Sequence, residues 1–173
     1  MNDNNWNGIM KVLEIKHWRN DKIIWERRNI KNLLHEKGEE FILSAAFSGG
    51  KVSTIIPDNY YFGLDNRSLV QADQEMNDLI GEPTGNGYTR QTISSSNEFV
   101  IGFENDHYQA VSPVLVFRAS GASWGPVNNL FLTDQAGNTG FLISTAALGE
   151  SVVVNDEDSI TIRLTMLLKD CPV

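Results

Sequence analysis

Apolar and polar positions alternate most regularly near the end of the chain. Ile160, Ile162, Leu164, Met166 and Leu168 take every second position, with Ser159, Thr161, Arg163 and Thr165 between them. A period of two sends one set into a core and the other into water, which predicts a strand over 158–168 with those apolar residues on one buried face. Upstream, the pattern predicts further strands over 88–94, 98–104, 107–118, 126–133, 139–147 and 151–154. They are separated by turn clusters at 94–97, 104–106, 120–123, 134–138 and 155–158. Val114-Leu115-Val116-Phe117 is continuously apolar and reads as covered on both sides.

The first part of the chain has a different texture. Residues 9–18 and 22–30 are rich in Ile, Val and Trp, and Arg19-Asn20-Asp21 between them is turn chemistry, so they read as a hairpin added to the body. Residues 32–47 carry Leu34, Phe41, Ile42, Ala45 and Ala46 on one helical face, ended by Ser48-Gly49-Gly50. Gly38 costs such a helix about 1 kcal/mol relative to Ala, so its firm part is 37–47. A short strand is expected at Tyr60–Leu64 and a second short helix over 71–80, closed by Gly81 with Pro83 beyond. Many short strands with turns every 8–12 residues predict a mainly β protein: an antiparallel β-sandwich or jelly-roll-like body with an N-terminal hairpin and one or two short helices. The expected divisions are an arm over 1–8, hairpin plus helix over 9–50, and the sandwich over 51–173.

Length permits this as one domain. The 173 residues, 41% hydrophobic and 21% charged, match an ordinary globular chain and exclude collagen, coiled coil and disulfide scaffolds. Net charge is −8, which disfavours nucleic acid as a partner. The charge is uneven: residues 1–40 sum to +1 and residues 41–173 to −9. The basic segment is either a solvated hairpin or a surface that docks on an acidic neighbour. Cys171 is the one cysteine, so no intrachain disulfide or cysteine-built zinc site exists, and folding in a reducing cytoplasm is expected. The polar arm, four of whose first seven residues are Asn, is not a signal peptide. No apolar run approaches the roughly 20 residues needed to cross a bilayer, so no membrane partner is expected.

Candidate chemistry is sparse. Gly49-Gly50-Lys51 lacks the other positions of a phosphate loop. His17, His35 and His107 fall in three elements without metal-ligand spacing. Asp156-Glu157-Asp158 lacks the alternate ligands and distal Glu of a calcium loop, and sits where a solvated turn belongs. No catalytic residue, metal or cofactor is therefore expected. The aromatic residues are more telling, because tryptophan either anchors a core or marks an interface. Trp6, Trp18 and Trp25 crowd the hairpin region, beside Arg27 and Arg28, and Trp124 sits between small residues before Gly125-Pro126. These six are the candidate subunit-interface residues.

Three segments form a series: Tyr60-Tyr61-Phe62-Gly63-Leu64-Asp65 with Asn66 and Arg67; Gly81-Glu82-Pro83 with Gly87-Tyr88-Thr89-Arg90-Gln91; and Trp124-Gly125-Pro126-Val127 through Leu130-Phe131-Leu132-Thr133 with Gly140–Ser144. The series, spanning roughly 55–168, resembles small virion structural proteins of tailed bacteriophages. The resemblance implies a non-enzymatic capsid decoration or accessory protein, made in the host cytoplasm and carried in the virion. It implies other virion proteins as partners, the major capsid protein foremost, and a homo-oligomer, with a trimer favoured. The alternative it leaves open is a neck, tail or fibre component with a receptor- or carbohydrate-binding sandwich, which requires an exposed aromatic platform at Trp124 or Tyr60/Tyr61. In either case residues 1–30 are expected to contact a neighbouring subunit.

Overall fold

The computed structural model describes residues 10–47, 56–79, 81–96, 98–104 and 107–167. The arm with Trp6, the end of the helix at 48–50, Leu168 and Cys171 lie outside them.

The chain forms a β-sandwich of two antiparallel sheets. One sheet contains β1 (Met10–Arg19), β2 (Lys22–Lys31), β6 (Val100–Glu104), β7 (His107–Val111), β8 (Leu115–Arg118) and β11 (Ser159–Leu167), in the order β2-β1-β11-β7-β6, with β8 also paired to β11. The other runs β3 (Leu33–Leu34), β10 (Leu142–Val154), β9 (Trp124–Thr133), β4 (Asn59–Asp65), β5 (Gln91–Ser94). Met10, Val12, Ile15, Ile160, Ile162 and Leu164 of the first sheet meet Phe62, Leu64, Leu130, Leu132, Ile143 and Ala146 of the second in one core. The last strand keeps its expected register: Ile160, Ile162 and Leu164 are fully buried and Met166 packs against the same cluster.

The N-terminal hairpin is not an addition to this body. β1 pairs with the whole of β11, from Met10↔Met166 to Trp18↔Ser159, so the two end strands of the domain lie side by side. The β1–β2 turn places Asn20 and Asp21 at φ 48° and 59°. Two successive left-handed residues make the tight turn whose twist matches its strands, and Asn and Asp tolerate that region best after Gly.

Five other expectations change. The helix α1 spans Glu36–Phe47, because Leu33 and Leu34 pair with Thr145 and Ser144 before it starts. Residues 71–80 make only a 3-10 turn at Met76–Asp78, where Met76 alone is buried, beside Phe131 and Leu142. The 107–118 strand divides at Ser112-Pro113, since proline has no N–H for the ladder. Ser112 bridges the break by exchanging bonds with Leu164 through its N–H and its hydroxyl. Beyond it Leu115 and Phe117 are buried while Val114 and Val116 are exposed, so β8 is covered on one face only. Conversely, 139–147 and 151–154 merge into β10, because pairing with β9 resumes at Val152↔Val127 after a bulge over 148–151.

Candidate functional site

Three polar clusters, buried or half-buried, act as clamps between elements. At the end of β1 that turns into β2, Asp158 is 2% exposed and accepts from His17 Nε2 at 2.9 Å, from Arg19 Nη2 at 2.7 Å and from the backbone N–H of Asn155 at 3.1 Å. The Arg19 guanidinium holds this carboxyl below its usual range. The neighbouring acids are also engaged: Asp156 accepts from the Gly121 N–H at 2.8 Å, and Glu157 pairs with Arg118. Among the described residues no three His, Cys, Asp or Glu side chains form a group able to hold a metal.

A second clamp joins Asp65 and Arg67, both buried, through Arg67 Nη2 to Asp65 Oδ2 at 2.8 Å, with Gln74 accepting from Nη1 at 3.0 Å. This bidentate pair ties the 66–78 loop to the end of β4. The third unites Glu82, Tyr88 and Arg90. Arg90 donates to both Glu82 oxygens at 2.8 and 2.7 Å, to the carbonyls of Ala136 and Gly137 at 2.8 Å each, and stands 5.0 Å from the centre of the Phe131 ring. Tyr88 donates to Glu82 and accepts from the Leu64 N–H, both at 2.8 Å; burial and the adjacent Glu82 raise its phenol above the usual range. The Gly81–Gln91 motif is thus a brace holding two loops against β9. Gly85 and Gly87 adopt positive φ. Gly81 serves space instead: Asn66 occupies the place of a Cβ.

The proposed interface residues separate into different environments. Trp124 is 6% exposed and packs in the core, 5.6 Å from Tyr88 in a T-shaped contact, so it is unavailable to a partner. Trp18 is half-buried and donates to Thr161 Oγ1 at 2.9 Å across the sheet. Trp25 packs against the core rim and donates to Glu150, which the β10 bulge pushes toward β2. Arg27 is exposed, 3.6 Å from Glu150, and Arg28 is exposed beside Glu26 and Glu14. Trp6 lies outside the described residues. Of the five that are described, only Arg27 and Arg28 are largely open to solvent, both on the edge strand β2.

The surface that stands out was not among these candidates. Every residue of β6 is exposed, with Val100, Ile101 and Phe103 at 70, 75 and 62% and Tyr108 of β7 at 72%. Pairing of Ala110 with both Met166 and Ile101 places Ile101 on the core side of the sheet, together with Phe103 and Tyr108. The β6–β7 hairpin therefore carries its core-facing side past the end of the opposing sheet. Val100 faces the other way, so β6 is apolar on both faces. It is also a sheet edge, whose outer row of backbone groups has no strand partner among the described residues. A legible signal existed: Phe99-Val100-Ile101-Gly102-Phe103 between Glu98 and Glu104 is apolar without alternation, which fits neither a half-buried strand nor a solvated one.

Two clefts lie among the described residues. The larger, about 440 Å³, is lined by Asn59, Tyr61, Asp134 and Gln135; the smaller, about 310 Å³, by Arg67, Ser68, Asn128 and Glu150. Among the described residues no helix is long and apolar enough to cross a membrane. No protein-family model, curated protein or solved structure matches this chain.

Proposed function

We propose that this chain is a non-enzymatic structural protein of a tailed bacteriophage virion, a capsid decoration or accessory protein that binds neighbouring virion subunits. The observation that carries the reading is the β6–β7 hairpin, which presents Val100, Ile101, Phe103 and Tyr108 to solvent on an unpaired sheet edge. Exposed apolar surface of this kind marks protein interaction sites, and an apolar edge strand is a template for pairing. The motif resemblance over 55–168 supplies the virion context, and the buried clamps leave the surface, rather than a pocket, as the working part. A carbohydrate-binding role loses two of its three platform residues, because Trp124 is buried and Tyr60 packs against the core, which leaves Tyr61, half-buried, in the larger cleft.

The test is immunogold labelling of purified particles of the phage that encodes the chain, read by electron microscopy. Gold on the shell supports decoration. Gold confined to tails moves the protein to the neck or fibre reading, and unlabelled particles overturn the virion assignment.

A further inference from the structure

The two edges of the larger sheet are built differently. β2 carries Lys22, Arg27, Arg28 and Lys31 against Glu26, a net of +3, with Ile23 and Ile24 exposed at 43 and 46%. At the opposite edge, residues 98–104 carry only Glu98 and Glu104, a net of −2, around an apolar centre. Charged residues normally guard an edge against unwanted pairing. The basic residues of β2 disfavour pairing with any edge but an acidic one, and the centre of β6 has no such charges. Gly102 in that centre has nothing within 4 Å of where a Cβ would point, so no contact within the chain calls for glycine there.

We propose that β6 of one copy docks against β2 of a second copy, extending the sheet across a head-to-tail contact. Charge selects this partner. A β6–β6 contact would bring Glu98 and Glu104 against their own kind, whereas β2 offers the basic strand. A single chain cannot make this contact with itself, since its two edges lie four strand spacings apart, about 19 Å at ~4.8 Å each. Because the contact joins two different surfaces, each copy keeps one free edge until a ring closes. The inference rests on the assembly reading above and names the surface and partner through which copies join.

Two variants test it on the full chain. Ile101→Asp/Phe103→Asp disables β6, and Lys22→Glu/Arg28→Glu disables β2. All four positions are exposed, and thermal melting checks that both variants fold. Light scattering after size exclusion should give wild-type protein as an oligomer whose mass falls with added salt, and each variant as a single 19.3 kDa chain. An equimolar mixture of the variants should form a two-chain complex and stop there, since it contains one intact β6 and one intact β2. Self-association of the β2 variant alone would overturn the proposal in favour of β6–β6 pairing, and a monomeric wild type would overturn it outright. Failure is distinguishable from failure of the functional reading: monomeric protein found on particles sinks only the edge contact, and an oligomer absent from particles sinks only the virion role.

Discussion

Replacing Gly38 with Ala should destabilise the protein, although helix propensity argues the reverse. Gly38 lies in the first turns of α1 and is buried. On propensity alone, Ala would stabilise the helix by about 1 kcal/mol. Yet α1 lies directly on β10, and a Cβ at position 38 would fall 2.9 Å from the Cα and carbonyl carbon of Ile143, with the carbonyl oxygen closer still. Ordinary contact begins near 3.4 Å, so helix and strand must part by half an ångström or more. The obstacle is backbone, which cannot rotate aside, and the same Ile143 carbonyl accepts the His35 N–H at 3.1 Å. Overpacking of this kind costs about 1–3 kcal/mol, and the upper half of that range applies to a rigid neighbour. After subtracting the propensity gain, Gly38→Ala should lose about 1–2 kcal/mol. At roughly 2–4 °C per kcal/mol for a chain of this size, Tm should fall by about 2–8 °C by calorimetry or circular dichroism. A variant melting at or above the wild type would refute the packing argument.

Other expectations follow from the buried polar groups. His35 is fully buried and burial lowers its pKa to about 4, so the unfolded chain, titrating near 6.5, takes the proton first as pH falls. Its contribution is complete above pH 6.5, declines from there to pH 4, and amounts to about 3 kcal/mol over that window; in urea titrations at pH 7.5 and 4.5, His35→Gln should lose less stability between the two than wild type, and an equal loss would exclude His35 as the cause. Asp158→Ala leaves Arg19 and the buried His17 without their carboxylate and should lower the urea midpoint; an unchanged midpoint would mean water replaces the clamp. Thermal melts with EDTA and with calcium should coincide, since Asp156, Glu157 and Asp158 already have protein partners, and a drop of several degrees on chelation would assign them an ion.

Period-two alternation and turn residues specify most of the strands by themselves. The strand over Ser159–Leu167 needs only its own residues to set which face is buried, because a slip of one position would turn Ile160, Ile162 and Leu164 outward. The Asn20-Asp21 turn is equally local, being set by which side chains tolerate positive φ. What depends on contacts far apart in sequence could not be read this way. Nothing near Met10–Arg19 says that it pairs with a strand some 140 residues later, so the hairpin reads as separate until β11 is placed beside it. Gly38 reads as a weakness in a helix until Ile143 is seen against it. Trp124 fits a core or an interface equally well by sequence, and its packing against Tyr88 decides the matter. For β6, the sequence supplies the apolar residues, but only the arrangement of the sheets determines that the second sheet stops short of them. Hydrophobic pattern is a property of each strand alone, whereas cover is a property of what lies opposite.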